Sequence, residues 1–341
     1  MTMAKKLTRI VFALIGVVAL AVVIAVVATA VRPARAIGIQ QVLAADAGHR
    51  VIPVTIFYPT TSEPRWGWFG MAALKLAANG AVDGKGLPLV VISEGTGGTS
   101  MSHRDTALAL AEAGYVVAAP LHPGDNFRDD SEVGTSDWMV DRARHVARVN
   151  DYLLGQWPGR THLDPEKVGL FGFSAGGTTA LVIIGGTPDF ARVAPHCAAE
   201  PEFVCKLLKP GVPLRVPAAA EWTHDGRVKA AVVIAPGFGF TFAPSDLSGV
   251  NVPVQLWAGA ADVNVPPVTN AAVVRRGLPA APQFHLVTNA GHSAFLPPCG
   301  LLKPLLPAML CTDADGFDRT AFHKEFNREV VAFFNTTLTR P

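Results

Sequence analysis

The sequence predicts an α/β architecture, a mostly parallel central sheet with helices packed against it. Three observations carry this. Short apolar or β-branched runs recur along the chain, at 87–92 (LPLVVI), 115–119, 168–173, 228–235 and 254–258. Stretches with helical periodicity separate them, and strands alternating with helices mean βαβ units and a parallel sheet. One of the strands runs straight into the turn Gly172-Phe173-Ser174-Ala175-Gly176-Gly177, and an apolar, helix-like run follows at 178–184.

Composition narrows the class. The chain has 341 residues, of which 50% are hydrophobic and 16% charged, and its formal net charge is +2. That is ample for a large core, and the near-neutral balance gives no reason to expect a nucleic-acid partner. At the N-terminus Lys5, Lys6 and Arg9 precede an uncharged apolar run at 10–31, which ends in Arg32-Pro33-Ala34-Arg35-Ala36. A basic region, an apolar region and small-residue cleavage sites are the parts of a signal peptide. The run is also long enough to span a bilayer, so an uncleaved membrane anchor at 10–31 stays open beside it. Residues 1–36 are therefore set apart as leader or anchor, 37–341 as the folded unit, and the product is expected to be exported.

The elements follow in order. Residues 49–58 (HRVIPVTIFY) are β-branched and bounded by Pro59, so they predict a strand. Residues 63–86 form an insertion with Trp66, Trp68 and Phe69, then an alanine-rich piece expected to be helical. The strand at 87–92 leads into the loop Ser93-Glu94-Gly95-Thr96-Gly97-Gly98. Ser102 with Asp105 suggests a capping box for the next helix. The strand at 115–119 is followed by His122-Pro123-Gly124-Asp125-Asn126, and helical periodicity runs over 136–156. Residues 185–227 are proline-rich and irregular, and predict a lid inserted after the helix that follows Ser174. Beyond it come strands at 228–235, 254–258 and 283–288, a helix around 268–276, and a closing helix from about 318 to 338. Cys197, Cys205, Cys299 and Cys311 lie in two close-set pairs. None has metal-ligand spacing, and in an oxidising compartment neighbouring pairs are the simplest of three disulfide connectivities.

The chemistry centres on Ser174. Gly172-Phe173-Ser174-Ala175-Gly176 fits G-x-S-x-G, a strand-to-helix turn that lifts a serine above the sheet. A hydroxyl is a poor nucleophile, so it needs a histidine base, which in turn needs an orienting carboxylate. Asp262 follows the strand at 254–258, and His292 follows the strand at 283–288. Asp246 competes as the acid but precedes its strand, at the wrong end of the sheet. His122 follows a strand and is expected either to line the pocket or to brace the Pro-Gly turn. The backbone N–H groups of Ala175 and Thr96 are the expected oxyanion donors. No residue set calls for a metal or an organic cofactor.

These pieces together resemble the α/β-hydrolase group that contains platelet-activating factor acetylhydrolases and dienelactone-hydrolase-like esterases. Tyr58-Pro59, the loop from Ser93 to Gly98, Gly114-Tyr115-Val116-Val117 and His122-Pro123-Gly124-Asp125-Asn126 match it. So do the Ser174 turn, Asp262, Gly291-His292 and the tail Gly316-Phe317-Asp318-Arg319 with His323. The resemblance implies an α/β-hydrolase fold and ester hydrolysis through Ser174, His292 and Asp262. Two departures stand out. Glu94 occupies a position where the group usually has histidine, and Ser174 replaces the cysteine of true dienelactone hydrolases. Amide or thioester hydrolysis on the same residues, and a non-catalytic relative that binds a lipid or a partner, are the competing classes. Apolar segments at 66–76, 185–227 and 295–310 are expected to wall a pocket for a small-molecule or lipid ester, with short-to-medium acyl chains favoured.

Overall fold

The computed structural model describes residues 3–29, 31–69, 72–209, 211 and 214–339. In chain order the strands are β1 (Ile37–Ala44), β2 (Ile52–Pro59), β3 (Arg65–Phe69), β4 (Ala72–Ala78), β5 (Leu87–Ser93), β6 (Val116–Pro120), β7 (Leu163–Phe173), β8 (Val228–Ile234), β9 (Val254–Gly259) and β10 (Gln283–Val287). The helices are α1 (Met3–Thr29), α2 (Arg104–Glu112), α3 (Trp138–Gly155), α4 (Ala175–Ile183), α5 (Val193–Ala199), α6 (Phe203–Leu207), α7 (Ala271–Gly277), α8 (Ala308–Cys311) and α9 (Arg319–Leu338).

All ten strands form one sheet in the order β10-β9-β8-β7-β5-β6-β2-β1-β4-β3. From β10 to β6 every pairing is parallel, whereas β6–β2, β2–β1 and β4–β3 are antiparallel. The strand side chains alternate between two cores, as the period of two requires. In β5, Leu89 and Val91 join the core built with α3, α4 and α7, while Val90 and Ile92 join the core built with α2 and α9. A parallel sheet covered on both faces explains why its strands are apolar along their whole length. Each fully buried Val, Leu or Phe contributes roughly 1.5–3 kcal/mol. The mostly parallel α/β-hydrolase fold expected from the sequence is the one observed.

Three local expectations are corrected. The alanine-rich piece is strand β4, not a helix. Its inward residues Leu74 and Leu76 are buried, and its backbone pairs with β3 and β1. The N-cap of α2 is His103, with no side-chain cap. Ser102 accepts a hydrogen bond from the Thr99 N–H instead, and the Asp105 carboxylate is held by His323 across the fold. Among the described residues no helix is long and apolar enough to cross a membrane, contrary to the transmembrane reading of 10–31. Part of that run's side chains lie outside the described residues.

Two expectations hold in detail. The closing helix expected from about 318 to 338 is α9, and Asp318 caps it by accepting from the Ala321 N–H at 2.9 Å. Cys197–Cys205 and Cys299–Cys311 are disulfides, with Cα–Cα distances of 5.5 and 5.8 Å. The segment 185–227 packs tightly on the body. Phe190, Val193, Val204 and Trp222 are buried in the larger core, and Phe190 stacks on Phe238 at 5.4 Å.

Candidate active site

The turn between β7 and α4 shows why both flanking glycines are required. A Cβ on Gly172 would lie 2.0 Å from the Gly176 carbonyl oxygen, and one on Gly176 would lie 2.0 Å from the Ser93 carbonyl oxygen. Any side chain would therefore force β7, α4 and the β5 loop apart. Ser174 itself has φ 56°, ψ −118°, a conformation that costs a non-glycine residue about 1–3 kcal/mol. The surroundings impose it: the Ser174 N–H donates to the Ile234 carbonyl at 2.9 Å, while its carbonyl accepts from Gly177 and Gly237.

The register of β5 against β7 sets Ser93 beside Gly172, so the loop from Glu94 to Gly98 emerges next to Ser174. His292 and Asp262 approach from the same sheet end, after β10 and β9. His292 Nε2 lies 3.0 Å from Ser174 Oγ, and His292 Nδ1 lies 2.7 Å from Asp262 Oδ2. The other Asp262 oxygen accepts from the N–H groups of Asn264 and Val265 at 2.9 and 2.8 Å, which fixes the carboxylate. The side chain of Asp262 is 1% exposed and that of His292 15%, so the histidine alone of the pair meets solvent. The Phe173 ring packs against His292 at 4.7 Å. This arrangement can pass a proton from a serine hydroxyl to an imidazole held in one orientation.

Other sequence candidates fall elsewhere. Asp246 accepts from the Ala243 N–H at 2.7 Å in the turn before β9, a local capping role. His122 is fully buried. It contacts Ser93 Oγ at 3.0 Å and His145 Nδ1 at 3.2 Å, and its carbonyl holds Asn126. Burial, together with Arg142 and His145, pulls its pKa well below the usual value, so the ring stays neutral and bracing. The loop that carries Thr96 passes close to Ser174, since a Cβ on Gly95 would sit 3.3 Å from the serine Cβ, and Ala175 begins α4 directly after the serine.

Glu94 is 1% exposed, and its Oε2 has no hydrogen-bond partner among the described residues. Burial pushes its carboxyl up to about 8 against the pull of Arg142, so it is neutral at pH 7. A neutral acid there adds no negative charge beside Ser174, and the nearby cation is Arg142.

Sequence reasoning missed Arg142 and the role of Asp125. Asp125 accepts from Gly97 N–H at 2.9 Å, Trp138 Nε1 at 2.6 Å and Arg142 Nη1 at 2.5 Å. Arg142 also donates to the Glu94 carbonyl. The pair is 1% exposed and holds the loop from Glu94 to Gly98 through Gly97 and Glu94. The only available signal was Asp125 in a loop after a strand; Arg142 sits inside a helix with nothing to mark it.

A cavity of about 680 Å³ adjoins segments that lead away from this site, and Ser174, His292 and Asp262 do not line it. Residues 99–102, which follow the oxyanion loop, and residues 296–299, which follow His292, form part of its wall. Of the expected walls, Phe69, Ala72, Leu306 and Leu310 line it, and the segment 185–227 does not. The side chains of Leu301 and Leu305 lie outside the described residues.

Residues 75–210 match the model of the dienelactone hydrolase family. The match spans part of the chain and supports an ester-hydrolysing enzyme. None of the curated proteins matches it. Among solved structures it is similar to a ferulic acid esterase from Streptomyces cinnamoneus, at 20% identity and a TM-score of 0.66, over 91% of this chain and 94% of that one. It is also similar to a dienelactone hydrolase from Anabaena variabilis, at 18% identity and a TM-score of 0.50, over 88% of this chain and 99% of that one. At these identities both likenesses speak for the fold.

Proposed function

We propose that the protein is an exported serine carboxylic-ester hydrolase acting on hydrophobic or amphiphilic esters. The observation that carries this is His292 bridging Ser174 Oγ at 3.0 Å and Asp262 Oδ2 at 2.7 Å. Ser174 Oγ attacks the ester carbonyl carbon while His292 Nε2 takes the hydroxyl proton. Asp262 holds the ring in the tautomer that accepts it and stabilises the imidazolium. The N–H groups of Thr96 and Ala175 receive the oxyanion. Neither has an acceptor within the described protein, which leaves both for substrate. The intermediate collapses as His292 returns its proton to the departing alkoxide. Water, activated by the same histidine, then releases the acid from Ser174.

Export is supported by the leader-like composition of residues 1–36 and by two disulfides, which persist in oxidising compartments. Residues 37–341 would then be the mature hydrolase unit. The test is a series of p-nitrophenyl esters from acetyl to palmitoyl, with Ser174→Ala alongside. Turnover should favour short-to-medium chains and fall to near background in the variant. Undiminished hydrolysis by Ser174→Ala would reject the assignment.

A further inference from the structure

We propose that the cavity walled by residues 99–102 and 296–299 binds the remote part of an amphiphilic ester, and that this part carries an anionic group met by Arg104 and Arg128. The inference rests on the serine-esterase assignment and adds the substrate's charge to it.

The cavity is the right size for such a group, since ligand pockets span about 300–1,000 Å³, and its wall is largely apolar: Val42, Val54, Phe69, Leu121, Leu306 and Leu310 contribute. The charged side chains on that wall are Arg104 and Arg128; no aspartate or glutamate lines it. Both arginines therefore belong to a wall with no carboxylate of its own among the described residues.

Arg104 is the more telling. Five described arginines are buried or half-buried: Arg104, Arg142, Arg144, Arg227 and Arg319. Arg142 holds Asp125, Arg144 holds Asp46, Arg227 holds Asp225 and Arg319 holds Asp313. Among the described residues Arg104 holds no carboxylate. The adjacent Asp105 is committed to His323 at 2.6 Å and to Asn327 at 2.9 Å. Taking a guanidinium out of water without a partner is costly, and a structure that pairs its other sheltered arginines leaves this one for something that arrives. Burial accordingly pulls the Arg104 pKa down, with Asp105 only partly opposing. Arg128 is exposed and lies over the Phe127 ring at 4.8 Å, so a cation and an apolar ring stand together where the cavity meets solvent. An acyl or alkyl chain in the apolar wall with a carboxylate or phosphate at the arginines satisfies both features.

The test separates binding from turnover. Catalytically silent Ser174→Ala protein is titrated calorimetrically with decanoate, decyl phosphate and decanol. At least one anion should bind tenfold or more tightly than the alcohol, since charge-assisted hydrogen bonds are about twice as strong as neutral ones. The better of the two names the anion. Arg104→Gln on that background should abolish the preference. Arg128→Gln, at an exposed position that does not threaten folding, should cut it about threefold, and raising salt should shrink it. Equal binding of alcohol and anions overturns the proposal, as does a preference that survives both substitutions and high salt. In parallel, wild-type protein is given p-nitrophenyl decanoate and the p-nitrophenyl monoester of sebacic acid, which ends in a carboxylate. Anion binding without turnover of either ester would support the anion site and reject the serine-esterase assignment.

Discussion

Two aspartate–histidine pairs sit in this molecule with nearly the same geometry. His292 meets Asp262 at 2.7 Å, and His323 meets Asp105 at 2.6 Å. Their outward nitrogens differ. His292 Nε2 faces the hydroxyl of Ser174, a group with a proton to give, at 3.0 Å. His323 Nε2 faces the carbonyl of Ala294 at 2.9 Å, a group that only accepts. The second ring therefore faces an oxygen acceptor at each nitrogen. It joins α9, the start of α2 and the turn just after His292. The same two residue types make a proton relay in one place and a rivet in the other, and the third partner decides which.

The largest expected effect tests the relay. Asp262→Asn should lower kcat by about 10⁴-fold, because an orienting amide favours the wrong tautomer. Unchanged melting behaviour should accompany the loss. A drop below tenfold would mean that Asp262 does not orient the base.

The mirror substitution tests the rivet. His323→Asn should cost about 3 kcal/mol in chemical denaturation, since it strands the buried Asp105 carboxylate. Activity of the folded fraction should stay within about tenfold of the parent. A loss of activity equal to that of Asp262→Asn would erase the distinction between the pairs. The rivet also has a pH signature. Burial alone would raise the Asp105 pKa, but the bonds from His323 and Asn327 bring it down to about 2, below its ordinary 3.8. Its contribution is therefore present above the ordinary value and is lost as pH falls through about 2. Asp105→Asn should flatten that acid limb of the stability curve.

A third buried acid, Asp125, has arginine in place of histidine. Asp125→Asn should lower kcat by about 10- to 100-fold with little change in KM, as the Gly97 N–H loses its charged anchor and the oxyanion loop loosens. Equal loss in KM and kcat would instead point to collapse of the loop.

The smallest effect is that of Glu94, which has neither partner fully. Its folded pKa of about 8 lies above the ordinary 4.5. Between those values the folded state holds a proton that the unfolded chain releases, so this group's stabilisation fades as pH rises through about 8. Above that point a carboxylate also appears beneath the oxyanion loop. Glu94→Gln should remove the alkaline decline in both stability and kcat/KM; a decline of the same size in the variant would exclude Glu94 as its source.

What could be read in the chain was whatever depends on local spacing. The Gly172 and Gly176 pattern, the strands on either side, and the loops that carry Asp262 and His292 are consequences of short-range sterics and of strand–helix alternation. The two cysteine pairs are close enough in sequence, 8 and 12 residues, for proximity to favour their pairing. The approach of Ser174, His292 and Asp262 to bonding distance was an expectation from chain order alone, and the parallel sheet realises it by ending β7, β9 and β10 on one side.

Only the tertiary structure decided the rest, because it depended on what lies opposite a residue rather than beside it. Residues 72–78 look helical by composition and become β4 because β3 and β1 offer their backbone partners. Asp105 looks like a helix cap and becomes the anchor of a distant histidine. Glu94 looks like an unwelcome charge and is neutral because burial outweighs Arg142. Arg104 looks like one more surface cation, yet folding leaves it half-buried at the wall of an apolar cavity, with no carboxylate held among the described residues. Charge state and partnership are set by desolvation and by long-range neighbours, and neither is written in the local sequence.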